Sequence, residues 1–132
     1  MTDMLQSIGG VMVLVCGQDG PKLHGDRDAT DLIGEAAYGG ADWVAIPAGR
    51  LSDDFFRLRT RVAGEIVQKF VMYGLGLAIV GDVSPHTAVS TALRDFVREC
   101  DRGVHTWFVS DIDDLRDRLE RLPSGRAVGR GR

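Results

Sequence analysis

Apolar residues follow two alternating patterns along this chain, and each pattern predicts one type of secondary structure. Four short runs rich in apolar and β-favouring residues predict strands; they cover residues 11–16, 43–46, 77–80 and 105–109. The first run is apolar throughout, which is typical of a strand buried on both faces of a sheet. A turn-forming stretch at 17–21 follows the first run. We therefore expect residues 22–24 to form a short second strand that closes a hairpin.

Between these runs, apolar side chains recur every three or four positions, as on the buried side of a helix. The clearest stripe consists of Phe55, Leu58, Val62, Ile66 and Phe70. Ser52 is placed to cap this helix at its start. Further helices are predicted at about 28–38, from Ser84 to 102 with Pro85 in the first turn, and from Ser110 to 122.

The order of these elements is β-β-α-β-α-β-α-β-α. Strands that alternate with helices after an opening hairpin predict an α/β fold with a single mixed, mostly parallel sheet. We expect residues 1–122 to form one such domain, because globular domains cluster at about 100–150 residues.

Two features of the strongest helix predict its packing. Gly64 lies in mid-helix, where glycine costs roughly 1 kcal/mol relative to alanine, so we expect a strand or a second subunit to pack closely there. Glu65 and Lys69 have the i, i+4 spacing of a helical ion pair.

Charge is distributed unevenly over the 132 residues. The chain has 16 Lys+Arg and 19 Asp+Glu, a net charge of -3. Residues 123–132 contain Arg126, Arg130 and Arg132 and no acid, so the remainder has 13 basic and 19 acidic side chains and a net charge of -6. We expect 123–132 to be a disordered basic tail because it has little to bury. The acidic body argues against nucleic acid as a partner.

Composition also excludes several classes of protein. The longest apolar stretch, 11–16, is far shorter than the roughly 20 residues of a membrane span, so no membrane partner is expected. The absence of a secretory leader predicts a cytoplasmic location. Cys16 and Cys100 form no disulfide framework, and the three histidines lack partners at metal-binding spacing. With no glycine-rich phosphate loop either, we expect neither a metal nor another cofactor.

Asp82, Ser84 and His86 form the densest polar cluster after a predicted strand. Ligands of α/β sheets bind outside the carboxyl ends of the strands, and these residue types support acid–base or nucleophilic chemistry when they converge. Ordinary structural roles also explain them: Ser84 as a helix cap, Asp82 as the residue that holds a turn, and His86 as an exposed side chain. They are therefore candidates for ligand or partner binding, and we assign no catalytic residue.

Arg57 is a further candidate for binding. On a helix it shares a face with Arg61, whereas Arg59 points elsewhere, so the three arginines do not form one clamp. Solvation and pairing with nearby acidic residues explain them equally well.

Several segments carry a family resemblance. They are FFRLRTRVAGEIVQKFVMYGLGLAIVGDVS, DATDLI, ALRDFVRECDRG and WFVSDIDDLRDRL, and together they cover most of residues 8 to 122. With them the chain resembles the bacterial family catalogued as domain of unknown function 4180. Met72 and Asp101 stand at positions where asparagine is common in that family. The resemblance implies no particular activity.

The order of elements also resembles that of STAS domains, the fold of anti-sigma-factor antagonists. These small regulatory modules bind partner proteins and are often switched by phosphorylation of a Ser or Thr at the start of the helix after the third strand. By element order alone, the resemblance implies Ser52 as a phosphorylation site.

Two functions remain open from the sequence. The first is a non-enzymatic regulatory or protein-interaction module that binds another protein or its own copy. The alternative is a small-molecule binder or enzyme whose site lies at the strand ends near Asp82. A pocket at those strand ends favours the alternative, and a large subunit contact favours the first function.

Overall fold

Five strands form one sheet in the computed structural model, which describes residues 3–122 of the chain. The strands are β1 (Met4–Ile8), β2 (Val11–Val15), β3 (Trp43–Pro47), β4 (Gly76–Val80) and β5 (Thr106–Val109). The helices are α1 (Asp26–Gly39), α2 (Val62–Met72), α3 (Ser84–Thr87), α4 (Thr91–Arg102) and α5 (Ile112–Arg121). In residues 3–122 no helix has both the length and the apolarity to cross a membrane. The predicted basic tail at 123–132 lies outside the described residues.

The predicted α/β fold with a mixed, mostly parallel sheet is confirmed, whereas the resemblance to STAS domains is not. The strands lie in the order β1-β2-β3-β4-β5, with β1 antiparallel to β2 and every later pair parallel. Helices α1, α2 and α4 pack on the face that contains Leu14, Val44 and Leu77. Helix α5 packs on the opposite face, which contains Trp43 and Trp107.

The opening hairpin differs from the predicted one. β2 pairs with the preceding strand β1 across Gly9 and Gly10, whose φ angles of +59° and +83° are those of a tight hairpin turn. The prediction of a strand at 22–24 is wrong, because Leu23 makes only an isolated parallel bridge to Leu51. A two-glycine linker between apolar runs favours a hairpin, and this pattern is present at 9–10.

Residues 52–61 are not the first turns of a long helix, as the apolar stripe had predicted. They form 3₁₀ turns at Asp53–Phe56 and Leu58–Thr60, and α2 begins only at Val62. Arg61 separates the two regions with a left-handed φ of 70°. Phe55 is nevertheless fully buried, because the 3₁₀ turn still places it on the core side.

The helix predicted from 84 to 102 is two helices. α3 ends at Thr87, and α4 starts anew with Ser90 as its cap, whose hydroxyl accepts the Leu93 N–H at 3.1 Å. Ser84 therefore makes no capping bond, and Pro85 lies in the first turn of α3. For α5 the cap is Asp111, which accepts the Asp114 N–H at 2.8 Å, rather than the predicted Ser110.

Arg50 is a buried arginine that fastens the loop after β2. Its Nε donates to the Pro21 carbonyl and its Nη1 to the Gly17 carbonyl, both at 2.8 Å. The Asp3 carboxylate lies 3.8 Å from Nη1 and also accepts the Gly17 N–H at 3.0 Å. A Cβ on Gly20 would overlap the Arg50 guanidinium, so the loop closes directly over this side chain. One guanidinium therefore connects three separate segments of the chain.

We expect Arg50→Met to lower the free energy of unfolding by about 2–4 kcal/mol, because the Gly17 and Pro21 carbonyls lose their donors and Asp3 loses its cation. Urea unfolding followed by circular dichroism measures this loss. The control is Arg27→Met on the exposed side of α1, with an expected change within about 0.5 kcal/mol. Equal effects of the two substitutions would contradict the role given to Arg50.

Of the two predictions made for α2, the Glu65–Lys69 pair is wrong and so is a strand at Gly64, whereas a second subunit packed at Gly64 stays a prediction. A Cβ built on Gly64 meets no atom within 4 Å, so no described strand packs there. Lys69 pairs with Asp26 of α1 at 3.0 Å instead of with Glu65. This pair joins two helices and raises the pKa of Lys69 through a hydrogen bond to the Asp26 carboxylate.

Gly64→Ala is expected to stabilise the protein by about 0.5–1 kcal/mol, since alanine restricts the unfolded chain and meets free space in the helix. Gly76→Ala is the opposing control, because its Cβ would overlap the buried indole of Trp43. Thermal unfolding should show a higher Tm for the first variant and a lower Tm for the second. A lower Tm for Gly64→Ala would show that something packs against α2.

Candidate functional site

A groove of about 730 Å³ lies where β4 and β5 end, between α4 and α5. Four arginines line it, and we call it the arginine groove: Arg94, Arg98, Arg102 and Arg118. Its floor is apolar and includes Val83, Val97 and Phe108. Two acidic side chains, Asp82 and Asp101, also line the groove. It is an open surface feature at the carboxyl ends of the strands.

Asp82 and Ser84 lie at the rim of the arginine groove, as expected for the end of β4. Asp82 accepts the backbone N–H of Ser84 at 2.9 Å and so holds the turn before α3. Hydrogen bonds from Ser84, the hydroxyl first and the N–H second, lower the pKa of Asp82. An exposed carboxylate that is already bonded within its own turn is a poor general base.

His86 points away from Asp82 and Ser84 and lines a different hollow. Its ring stacks on Phe56 with the centroids 3.8 Å apart and the planes at 5°. Arg57 and Arg59 line the same hollow, whereas the sequence had grouped Arg57 with Arg61 on a helix face. The structure therefore separates the predicted polar cluster into two sites. The arrangement of carboxylate, hydroxyl and imidazole that a hydrolytic site needs is not formed.

Arg57 is exposed, and its guanidinium lies 3.5 Å from the Asp54 carboxylate. This i, i+3 pair is of the surface type that contributes at most about 1 kcal/mol. Arg57 thus remains free to exchange partners.

Ser52 is buried, and its hydroxyl has no hydrogen-bond partner among the described residues. Its side chain caps no helix. Phosphorylation of Ser52 stays a prediction, and it would require the segment around Leu51 to open first, because a kinase must reach the hydroxyl.

The arginines of α4 share one face because they are spaced four residues apart. Arg98 lies 3.9 Å from Asp95, and Arg102 lies 3.7 Å from Glu99, both in exposed i, i+3 pairs. Such pairs break at little cost. Arg94 makes no ion pair with any residue in 3–122. The positive charge on this face is therefore weakly compensated.

Arg118 reaches the groove from α5 and is held on two sides. Its guanidinium carbon lies 5.2 Å from the ring centroid of Trp107, a cation–π geometry. Its Nη1 also donates to the Asp101 carbonyl at 3.3 Å. This arginine is thus positioned before any ligand arrives.

Asp101 closes the outer edge of β5. Its carboxylate accepts the Phe108 N–H at 2.7 Å. Two residues further along, Asp114 accepts the Ser110 N–H at 3.0 Å. Burial raises the pKa of Asp101, while the Phe108 N–H and the nearby Arg118 lower it by less. Carboxylates thus occupy two edge N–H groups that another strand would otherwise use.

Neither thiol is poised for chemistry. Burial raises the pKa of Cys16 to about 12 and that of Cys100 to about 11, so both stay protonated at neutral pH. No group of three or more metal-ligating side chains is close enough together to hold a metal ion in the described part of the chain.

The fold and its sites define a small α/β protein with an arginine-lined groove at the carboxyl ends of β4 and β5. The family model described as a domain of unknown function (DUF4180) matches residues 8–119, so the chain belongs to this family. Neither a curated protein nor a solved structure matches the chain.

The arginine groove was missed in the sequence, although part of it was readable. Arg94, Arg98 and Arg102 repeat every four residues within a predicted helix, which places them on one face. The position of Arg118 was not readable, because only the packing of α5 across the sheet brings it to α4.

Asp101→Asn tests whether the charge of the partly buried Asp101 carboxylate lowers the stability of the folded protein. The amide oxygen retains the bond to the Phe108 N–H but carries no charge to desolvate. Burial raises the pKa of Asp101 in the folded state above its unfolded value of about 3.9. The wild type therefore loses stability as the pH rises from about 3.9 through the pKa of the folded state. The asparagine variant does not have this loss.

We therefore expect the unfolding free energy of Asp101→Asn, relative to wild type, to increase between about pH 3 and pH 7. Urea unfolding at several pH values gives this difference. Asp95→Asn, on the exposed side of the same helix, controls for the change in net charge. A relative stability that falls with pH would show that the charge of Asp101 is favourable.

Proposed function

We propose that this protein is a non-enzymatic, cytoplasmic protein-interaction module that pairs with a second copy of itself through the open edge of β1. The observation that carries the proposal is the contrast between the two sheet edges. Two carboxylates close the edge at β5, whereas no described strand, helix or side chain pairs with the outer edge of β1. The two unpaired cysteines suit the reducing cytoplasm.

The backbone of β1 offers hydrogen bonds at two positions. In β2, the Met12 carbonyl accepts the Asp42 N–H at 2.8 Å and the Cys16 N–H donates to Ala45 at 2.9 Å, so even-numbered residues bond toward β3. The odd-numbered residues of β2 consequently bond toward β1. Within β1, the register then leaves the backbone groups of Leu5 and Ser7 directed outward.

The side chains of β1 do not protect this edge. Its sequence, MLQSI, contains no charge and no proline, and its register with β2 is continuous without a bulge. Charges, prolines and bulges are the features by which edge strands usually avoid pairing, and β1 has none of them. Apolar side chains are exposed beside it: Met4 is 56% exposed, Leu5 44% and Met12 38%. A protein surface of this kind favours strand addition.

The occupant best suited to this edge is a second β1. An antiparallel pair centred on Gln6 places Leu5 opposite the Ser7 of the other copy, and the two-fold axis repeats the contact. Since β1 is uncharged, no like charges meet in the pair. The result is a continuous ten-stranded sheet whose edges are the two closed β5 strands.

Leu5→Lys should convert a dimer into a monomer, because a charge at an edge position opposes strand pairing. Analytical ultracentrifugation of the full chain should give twice the 14.4 kDa chain mass for the wild type and a single chain mass for the variant. Val89→Lys is the control, since Val89 is also an apolar side chain exposed to solvent and lies far from β1 in the chain.

Two results would count against the proposal. A monomeric wild type at high concentration would exclude self-pairing. A dimer that survives Leu5→Lys but is lost in Val89→Lys would place the interface near the Phe56 and His86 hollow instead.

A further inference from the structure

We propose that the arginine groove binds an elongated small molecule that carries two or more phosphate groups. This site lies at the strand ends near Asp82, where the alternative drawn from the sequence placed a small-molecule site, and it is separate from the β1 edge at the opposite end of the sheet. Four guanidinium-bearing side chains reach one groove from two helices. Against them stand two carboxylates, Asp82 and Asp101, each of which already accepts a backbone N–H.

The local charge contrasts with that of the protein. The chain without its last ten residues has a net charge of -6, yet the groove contains four arginines and two acids. A positive groove within an acidic body attracts small anions while the remaining surface repels large polyanions such as nucleic acid. This contrast favours a small ligand.

The spacing of the arginines favours an elongated ligand. At a helical rise of about 1.5 Å per residue, Arg94 and Arg102 are separated by about 12 Å along α4. A single phosphate cannot contact both ends of such a row, whereas a chain of phosphates or a molecule phosphorylated at two positions can. Guanidinium groups bind phosphate oxygens through paired hydrogen bonds, for which arginine is suited better than lysine.

The groove combines fixed and mobile arginines. Arg118 is held against Trp107 and the Asp101 carbonyl, so it is oriented in advance. Arg98 and Arg102 have only exposed, easily broken ion pairs, and Arg94 has none with a described residue. The apolar floor formed by Val97 and Phe108 provides a surface for the uncharged part of the ligand.

Isothermal titration calorimetry with tripolyphosphate as the probe tests the proposal. The full chain should bind tripolyphosphate and should bind orthophosphate at least about tenfold more weakly at matched ionic strength. Arg94→Gln combined with Arg98→Gln should weaken tripolyphosphate binding by about tenfold or more. These positions are exposed, so circular dichroism is expected to show unchanged folding.

Two further variants distinguish binding at a specific site from non-specific electrostatic attraction. Arg27→Gln combined with Arg121→Gln removes the same charge from exposed positions outside the groove and should change the Kd less than about twofold. Asp101→Asn keeps the bond to the Phe108 N–H, removes a negative charge from the groove and should tighten binding by about threefold.

Each other result overturns the proposal. Undetectable tripolyphosphate binding would exclude the site. An equal loss of affinity in the Arg94/Arg98 and the Arg27/Arg121 double variants would show that the binding is non-specific electrostatic attraction. Equal affinity for orthophosphate rejects the elongated ligand. A single-stranded oligonucleotide that binds more tightly than tripolyphosphate, with the same variant dependence, rejects the small-molecule class.

Discussion

Each parallel connection in this sheet moves the chain by one strand in the same direction, from β2 through β3 and β4 to β5. Since such connections are right-handed, the intervening helices must all pack on one face, where α1, α2 and α4 lie. The opposite face is covered by α5, the helix that follows the last strand. The order of the five described strands never reverses, so the sheet formed by residues 3–122 has no crevice of the kind in which doubly wound folds bind ligands.

This constraint moves the possible sites from the middle of the sheet to its margins. The arginine groove lies beside the last strand, where α4 and α5 approach from opposite faces. The open strand β1 lies at the other margin, because it is the one strand added by a hairpin rather than by a crossover. The two margins therefore differ in chemistry, one being charged and closed by carboxylates, the other being uncharged and open.

The sequence predicted what depends on local pattern. Apolar runs gave the central strands, and the predicted helix at about 28–38 agrees with α1, which ends where Gly40 adopts a left-handed conformation. It did not predict what depends on packing. The 3₁₀ turns before α2 follow an apolar stripe that fits a helix equally well, and Phe55 is buried in either conformation. The separation of His86 from Asp82 likewise results from its stacking on Phe56, which no spacing reveals.

Cys16 lies directly before the loop that Arg50 holds, and its buried thiol reports on whether this part of the protein is open or closed. Cys16 directly follows β2, its N–H donates to Ala45, and burial raises its thiol pKa to about 12. A protonated, buried thiol does not react with alkylating reagents until the chain around it opens. When opening and closing are fast relative to alkylation, the rate at which Cys16 is alkylated in the native protein therefore reports the fraction of molecules in which the β2 end of the sheet has separated from its loop.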